Sequence, residues 1–403
     1  LTKHEKQALT YQVLVIALSF IFLYANCTLA APTGTNLLEV KVSYLKLQQE
    51  QSPALSNVIK TPNDSGYKGA KLAINDSNTT GKFLQQHFSL TQFEFPTTPD
   101  LLNHLKRAFE KGSNMFVLNA PLRTLEKINL WAQNKDILLF NISEFSDVLR
   151  DKRCLSTFLH TAPSYAMKAD ALAQWLLYRR LTKLLLISGN KPVDVAIATS
   201  FKRSAKRYGL KIIEEKHWSF DTDLRRSAQQ EVPLFTQTSK EYDAVYVADH
   251  YKDFAQYIPF NTHLPRPVIG SAGLEALTWH HVIEQWGAAQ LQARFNKLTA
   301  RHMNEIDFNG YLAIRSIAQA VHKTHSVSAN VLSSYLKSSD FELGAYKGRK
   351  LSFRSWNGQL RMPMALVHPQ GLVSQSPQSG FLHPKTDLDT LGFDQQESQC
   401  NTH

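Results

Sequence analysis

The sequence predicts an α/β protein with two lobes, each built on a mostly parallel β-sheet covered by helices. The first observation is that apolar strand patterns alternate with helix patterns over most of the chain, as in parallel sheets. The second is that this alternation runs in two successive series, the second starting at residue 156. The third is composition: 403 residues with 43% hydrophobic and 20% charged content are typical of a globular chain of two or three domains.

The first series combines four strand patterns with three helix patterns. Strands are predicted at 40–45, 87–95, 114–120 and 136–143, with helices at 66–76, 99–111 and 121–134. The polar stretch "NDSNTTGKF" (75–83) has the composition of a ligand loop, but it follows a helix and precedes a strand. We therefore predict a structural turn there, on the edge of the sheet opposite to the ligand edge.

The second series contains an apolar strand, a turn, a helix and a further strand in "LLLISGNKPVDVAIATSFKRSAKRYGLKII" (184–213). Strands are predicted at 156–163, 184–188, 210–215, 244–249 and 267–270, with helices near 165–180, 193–208 and 250–257. The turn after the strand at 184–188 holds one glycine, Gly189, and neither phosphate-binding glycine pattern occurs in the chain. The sequence therefore disfavours a nucleotide site.

The pattern changes after residue 271. Helices are predicted at 281–300, 306–324 and 328–338. Residues 350–376 predict a hairpin with Asn357-Gly358 as a two-residue turn, followed by another strand pair. Residues 377–403 are polar and aperiodic, which predicts an extended tail.

The first thirty residues have the pattern of a signal peptide. Lys3 and Lys6 precede the apolar run 11–24, and small residues allow cleavage after Ala30. The run is short for a membrane span, and Asn26 makes Cys27 a poor lipoprotein site. We expect an exported, periplasmic protein. Its net charge of +11 mildly favours an anionic ligand or surface, although a solvated basic surface is the more common explanation.

Two cysteines follow the predicted signal peptide, Cys154 and Cys400. In an oxidising compartment they fit either a disulfide that ties the tail to the middle of the chain or two free buried thiols. Their spacing, with no C-x-x-C motif, argues against a cysteine metal site.

Candidate ligand residues follow the predicted strands, because open α/β sheets bind ligands at the carboxyl ends of their strands. The polar loops at that edge are 119–124, 141–144, 190–194 and 249–251. The richest segment, 159–172, contains His160, Ser164 and Tyr165 and opens a helix whose N–H groups can hold an anion. Each residue alone is more often a cap or turn residue, but together the loops predict a ligand site.

Sequence patterns for catalysis are missing: neither H-E-x-x-H nor G-x-S-x-G occurs. His281 and Glu284 are spaced to share a helix face, but no second helix supplies partner metal ligands. The basic run 202–207 predicts a solvated helix face rather than a nucleic-acid surface. We therefore predict a binding protein and not an enzyme, with no cofactor, no metal and no nucleic-acid partner.

Four stretches carry a resemblance to a known family: residues 158–189, 280–295, 346–371 and 380–400. They resemble the type I periplasmic binding proteins, which include the branched-chain amino-acid (Leu/Ile/Val) receptors of ABC transporters. The last three, "HHVIEQWGAAQLQARF", "YKGRKLSFRSWNGQLRMPMALVHPQG" and "GFLHPKTDLDTLGFDQQESQC", resemble the branch linked to pyrroloquinoline quinone (PQQ)-dependent alcohol dehydrogenase systems.

This resemblance implies two Rossmann-like lobes joined by a three-crossover hinge. Lobe 1 would comprise 31–155 with 272–326, and lobe 2 would comprise 156–271 with 327–376. By position, three residues of lobe 1 would face three of lobe 2 across the cleft: Asn119, Asn141 and Ser143 opposite Tyr165, Asp249 and Tyr251. Asn190 would also line the cleft, and His160 and Ser164 complete the predicted ligand set. Pro121 and Leu122 replace the Gly-Ser type of loop found in amino-acid receptors, which argues against an α-amino-acid ligand.

The predicted function is that of a monomeric solute-binding protein that presents a small molecule to an ABC transporter permease. The ligands that this resemblance implies are PQQ, an alcohol or the carboxylate derived from it. The alternative is a non-transport accessory or sensor protein that partners the PQQ-dependent dehydrogenase system.

Overall fold

The computed structural model describes residues 37–48, 61–219 and 224–400. The chain divides into a short unit that ends at Leu38 and a compact unit from Glu39 onward, and the description below concerns the second unit. The predicted signal peptide, including Cys27, lies outside the described residues. Within the described ranges, no helix is both long and apolar enough to cross a membrane.

The first lobe is built on a five-stranded sheet with the order β2-β1-β3-β4-β5. Its strands are β1 (Leu38–Leu47), β2 (Gln86–Phe95), β3 (Met115–Asn119), β4 (Leu138–Asn141) and β5 (Phe158–His160). The pairs β1–β3, β3–β4 and β4–β5 are parallel. Every residue of β3 and β4 is buried, which explains why their sequences are continuous apolar runs.

Four helices accompany this sheet: α1 (Tyr67–Leu84), α2 (Thr98–Glu110), α3 (Leu122–Ala132) and, much later in the chain, α8 (Glu305–Thr324). Helices α1 and α8 cross closely because glycines lie at the crossing. A Cβ atom on Gly69 would come within 1.8 Å of the Asp307 carbonyl oxygen, and one on Gly310 within 2.4 Å of the Gly66 carbonyl oxygen. Side chains larger than hydrogen would force the two helices apart.

The second lobe is built on a four-stranded parallel sheet with the order β7-β6-β8-β9. Its strands are β6 (Lys183–Ser188), β7 (Lys211–His217), β8 (Ala244–Ala248) and β9 (Val268–Gly270). The helices between them are α4 (Tyr165–Tyr178), α5 (Pro192–Arg207) and α6 (Leu224–Thr236). The prediction of two lobes with mostly parallel sheets is confirmed.

The last part of the chain adds two three-stranded antiparallel sheets. The remaining elements are β10 (Glu275–Leu277), α7 (Ala288–Thr299), α9 (Ala329–Leu336), β11 (Leu343–Gly344), β12 (Lys350–Phe353), β13 (Leu360–Arg361), β14 (Met364–His368) and β15 (Gly371–Ser376). Helix α9 contacts α8 and β4. The exact lobe boundaries given above remain a prediction.

The predicted turn at 75–83 is wrong, because these residues continue helix α1. Their polar side chains are satisfied within or beside the helix: Ser77 Oγ donates to the Ala73 carbonyl at 2.7 Å. Asn78 pairs with the Phe88 backbone in both directions at 2.8 Å, which fixes the end of the helix against β2. Tertiary contacts outweigh the low helix propensity of this stretch.

Three other element predictions need correction. The helix predicted at 281–300 begins only at Ala288, because Trp286 (φ 57°) and Gly287 (φ 81°) have left-handed backbone conformations, so His281 and Glu284 do not share a helix face. The helix predicted at 250–257 is a single 3₁₀ turn, Ala255–Tyr257. Strands β12 and β13 do form a hairpin, but Arg354 and Gln359 close a longer loop in which Asn357 and Gly358 lie.

Helix α5 presents Lys202, Lys206 and Arg207 to solvent as predicted, but Arg203 is only partly exposed. The Arg203 guanidinium donates two 3.1 Å bonds to the fully buried Asp170 carboxylate of α4, and Arg207 donates another at 3.1 Å. Arg203 also donates to Glu397 at 2.7 Å. These two arginines therefore link α4, α5 and the C-terminal segment.

The C-terminal segment 377–400 is packed against the body rather than free. Its 3₁₀ turn, Asp387–Thr390, places the fully buried Asp389 carboxylate 2.8 Å from Nε of both Arg354 and Arg361. Cys400 forms a disulfide with Cys154, with the Cα atoms 5.5 Å apart. We name residues 377–400 the C-terminal strap.

Candidate functional site

The carboxyl edges of the two parallel sheets are connected by a row of four aromatic side chains, which we name the aromatic bridge: Phe145, Tyr165, His250 and Tyr251. Phe145 follows β4 in lobe 1, and Tyr165 is the first residue of α4. His250 and Tyr251 follow β8 in lobe 2. The row therefore reaches from one sheet to the other at the position where α/β folds bind ligands.

The rings of the bridge contact one another mostly at an angle. The centroids of Phe145 and Tyr165 are 6.1 Å apart, those of Tyr165 and His250 are 6.5 Å apart, and those of His250 and Tyr251 are 4.8 Å apart. The last two contacts are edge-to-face, with interplanar angles of 88°. Of these rings, that of Tyr251 is 49% exposed, whereas Tyr165 is buried.

A lysine lies at each end of the bridge. The Lys168 ammonium is 4.6 Å from the centroid of Phe145, and the Lys191 ammonium is 4.5 Å from that of Tyr251. Each lysine also has a carboxylate partner: Lys168 Nζ is 2.6 Å from Glu305 Oε2, and Lys191 Nζ is 2.5 Å from Asp253 Oδ2. The Asp253 hydrogen bond raises the pKa of Lys191, so this lysine is charged at neutral pH.

Desolvation and nearby charges decide the protonation state of His250. Desolvation of the ring lowers its pKa to about 4, and the nearby Lys168 and Lys191 ammonium groups act in the same direction. The imidazole is therefore neutral at neutral pH. The adjacent Tyr165 phenol is largely buried, which raises its pKa well above the ordinary value and keeps it protonated.

The Glu144 carboxylate, in the loop after β4, lies at the N-terminus of helix α3. Its Oε2 accepts a 2.9 Å hydrogen bond from Leu122 N, and its Oε1 accepts a 2.8 Å bond from Ser146 N. A carboxylate of the protein thus already holds the backbone N–H that a ligand carboxylate would use after β3.

Two predicted ligand residues of lobe 1, Ser143 and Asn119, lie at this edge and differ in their hydrogen bonding. Ser143 is half-buried, and its Oγ has no hydrogen-bond partner within the described structure. Asn119, at the end of β3, donates from Nδ2 to the Tyr44 hydroxyl at 3.1 Å. Burial raises the pKa of that phenol, so it is neutral and can pass a hydrogen bond onward.

Four other predicted ligand residues make hydrogen bonds within the protein framework. Asn141 accepts from Glu144 N at 2.9 Å, and its Nδ2 lies 3.1 Å from the fully buried His160 ring. Ser164 caps α4 by accepting from Met167 N at 3.2 Å. Asp249 accepts from Phe254 N and Ala255 N, each at 2.8 Å. These residues shape the loops, and binding roles for them remain predictions.

The remaining predicted residues are Asn190, Tyr165 and Tyr251. Asn190 is exposed after β6 and donates from Nδ2 to the Trp218 carbonyl at 2.9 Å. Tyr251 is 49% exposed, and Tyr165 belongs to the same aromatic row. The structure therefore brings Tyr165 and Tyr251 together through His250, a residue that the sequence reasoning did not single out.

Four residues at this edge were not predicted: Phe145, Lys168, Lys191 and His250. All four lie in or next to the segments singled out from the sequence, so a preference for aromatic and cationic residues would have found them. The pairing of Lys168 with Glu305 could not be predicted, because the two residues are 137 positions apart in the chain. Within the described residues, no group of three or more His, Cys, Asp or Glu side chains is placed to hold a metal ion.

Comparisons with known proteins agree with this architecture. Residues 56–230 match a family model described as periplasmic binding protein. No curated protein sequence matches the chain.

Solved structures match over most of the chain. A branched-chain amino-acid ABC transporter periplasmic ligand-binding protein from Burkholderia xenovorans is 16% identical, with a TM-score of 0.70 over 90% of this chain and 99% of its own. A branched-chain amino-acid transporter substrate-binding protein from Streptococcus pneumoniae, in complex with isoleucine, is 15% identical, with a TM-score of 0.60 over 84% of this chain and 98% of its own.

A third structure holds an aromatic acid. The solute-binding protein of an ABC transporter from Rhodopseudomonas palustris, in complex with 3,4-dihydroxybenzoic acid, is 12% identical, with a TM-score of 0.59 over 81% of this chain and 92% of its own. At such identities the likeness establishes the fold, which is that of the type I periplasmic binding proteins.

Proposed function

We propose that this chain is a periplasmic solute-binding protein that captures a small ligand between its lobes and presents it to the membrane permease of an ABC transporter. The observation that carries this proposal is the aromatic bridge, because it joins the ligand edges of both sheets. A ligand placed there touches both lobes at once, and such a ligand favours the closed arrangement by population shift. No chemical reaction is required.

The ligand class that fits best is a planar anion. Aromatic faces stack on a flat ligand, and the Lys168 and Lys191 ammonium groups, each also paired with a carboxylate of the protein, add positive charge at the two ends. PQQ and aromatic or small organic acids fit this description better than a neutral alcohol does. The aromatic acid bound by the Rhodopseudomonas relative supports the same class.

An α-amino acid is a poorer fit. In amino-acid receptors the ligand carboxylate is held by loops after the lobe 1 strands, but here Glu144 already accepts from Leu122 N in that position. A second carboxylate beside Glu144 would be repelled. Together with the quoted sequence stretches, this supports a link to PQQ-dependent alcohol oxidation rather than to amino-acid uptake.

The direct test is thermal unfolding of the protein against PQQ, alcohols, aldehydes, aromatic and aliphatic carboxylates, and branched-chain amino acids. A ligand at a hundred times its dissociation constant stabilises by about 2.7 kcal/mol, which is a shift of several degrees for a chain of this size. We expect a clear shift with PQQ or a carboxylate and none with leucine.

Tyr165→Ala should abolish most of that shift, because it removes the ring that connects the two lobes. The matched control is Tyr178→Ala at the other end of α4, where the side chain is 58% exposed. If the control and Tyr165→Ala respond alike to the ligand, the proposed site is wrong. If no ligand in the panel shifts the transition, the accessory-protein alternative becomes the better explanation.

A further inference from the structure

The amino edge of the lobe 2 sheet carries a concentration of positive charge that the ligand site does not use. Because β6, β7, β8 and β9 are parallel, the residues that precede them meet at one edge. The segments 178–183, 208–211, 238–244 and 262–268 contain six cations against two carboxylates. The six cations are Arg179, Arg180, Lys183, Lys211, Lys240 and Arg266.

These six cations are exposed. In the part of the chain that the structure describes, none of the six pairs with a carboxylate, whereas Lys202 and Arg207 of the neighbouring helix α5 do. One of the two local carboxylates, Asp243, is occupied by backbone donors: its Oδ2 accepts from Thr182 N at 2.9 Å and from Lys183 N at 2.8 Å. The edge therefore presents a net positive field to the outside.

Aromatic side chains stand beside the cations. A groove of about 450 Å³ lies at the end of α4, lined by Trp175, Tyr178, Arg179, Arg180, Leu181 and Pro267. Tyr178 is 58% exposed. Trp175 is partly exposed. Accessible Trp and Tyr side chains among arginines and lysines are the combination found at the headgroup level of a membrane.

We propose that this edge of lobe 2 is a docking surface for an anionic phospholipid membrane. The positive charge extends along the whole amino edge of the sheet instead of converging on one point, so it complements an extended anionic surface better than a single small anion. The ligand residues, such as Asn190 and His250, lie at the opposite ends of the same strands, roughly 15–20 Å away for strands of five or six residues. Membrane contact at this edge therefore leaves the cleft free.

The test is sedimentation of the full chain with vesicles of 70% phosphatidylcholine and 30% phosphatidylglycerol, compared with pure phosphatidylcholine vesicles. Each arginine or lysine near an anionic surface strengthens binding about fivefold at moderate salt. The double variant Arg179→Gln with Arg180→Gln should therefore weaken binding to the anionic vesicles about 25-fold. Binding should also fall steeply between 50 and 300 mM salt, as screening shortens the Debye length from roughly 14 to 6 Å.

The matched control is Arg123→Gln with Lys127→Gln, which removes the same charge from two exposed positions of helix α3 in lobe 1. Residues 1–30 are identical in all variants, so their contribution cancels in the comparison. A similar loss in both double variants would show that net charge alone acts, and would overturn the proposal. So would an absence of preference for phosphatidylglycerol.

A third outcome also overturns it. If the chain does not bind the vesicles but binds poly-L-glutamate, and this binding depends on Arg179 and Arg180, the surface recognises an acidic protein instead of a membrane. The thermal shift produced by a cleft ligand should be unchanged in the Arg179 and Arg180 variant. Failure of this proposal is therefore distinguishable from failure of the proposed function.

Discussion

Replacing Asp389 with alanine is expected to lower the free energy of unfolding by about 3–5 kcal/mol. The Asp389 carboxylate is fully buried and accepts from both Arg354 and Arg361, and the Arg354 side chain is itself only 1% exposed. Without Asp389, the buried Arg354 guanidinium loses its ion-pair partner, and most of the desolvation cost of that charge is no longer offset. Urea unfolding of the variant and the parent protein measures the difference.

The control for this change is Asp387→Ala, two positions away on the same 3₁₀ turn. Asp387 also pairs with an arginine, Arg349, but both side chains are about a third exposed, so we expect a loss below about 1 kcal/mol. If Asp389→Ala fails to fold, Asp389→Asn keeps one acceptor oxygen for the two arginines while removing the charge, and it permits the same comparison. Equal losses for the Asp387 and Asp389 variants would refute the role given to burial.

Removal of the disulfide is the second large effect that we expect. The bond between Cys154 and Cys400 closes a loop of 246 positions, and cross-links of this kind contribute about 2–4 kcal/mol by restricting the unfolded chain. The variant with serine at both positions should therefore melt several degrees below the parent protein. Because Cys400 anchors the C-terminal strap, the variant should also be cleaved faster by protease within residues 377–400.

A reducing agent provides the internal control. Reduction should lower the melting temperature of the parent protein toward that of the double serine variant and should leave the variant unchanged. If the disulfide is reduced and the melting temperature of the parent protein does not change, this account is contradicted.

The sheets were predictable from sequence because their signal is local. Strands β6 and β8 are buried on both faces, so continuous apolar residues such as Leu184–Ile187 mark them without reference to the rest of the chain. Helix α6 (Leu224–Thr236) was missed because Pro233 lies inside it and its N-terminal part is polar. The helical state of residues 75–83 was missed because it depends on contacts with Phe88, ten positions from Asn78.

The candidate site was predictable only in part. The rule that ligands bind at the carboxyl ends of strands led to loops that do lie at that edge, and Tyr165 and Tyr251 lie in the aromatic bridge. It could not distinguish Asn141 and Ser164, which satisfy backbone groups, from Ser143, whose Oγ has no partner within the described residues. Nor could it pair Lys168 with Glu305, since that contact depends on how α4 and α8 meet in space.

The basic run of α5 illustrates the same limit. Arg203 and Arg207 have the spacing of an exposed helical face, and Arg207 is exposed, yet both pair with the fully buried Asp170, and Arg203 also pairs with Glu397 of the C-terminal strap. Charge on a helix predicts exposure only when no distant segment supplies a counterion. The six cations at the amino edge of lobe 2 differ from Arg203 and Arg207, because none of them pairs with a carboxylate among the described residues.

The measurement that tests the central claim most directly is calorimetric titration of the ligand found by thermal unfolding into two single variants, Phe145→Ala and Tyr251→Ala. Phe145 belongs to the loop after β4 in lobe 1, and Tyr251 to the loop after β8 in lobe 2. If one ligand is held between the lobes, each variant should bind it at least tenfold more weakly, since aromatic anchors contribute about 1–2 kcal/mol or more. Unchanged affinity in either variant would show that the ligand does not span the aromatic bridge, and would contradict the proposed mechanism.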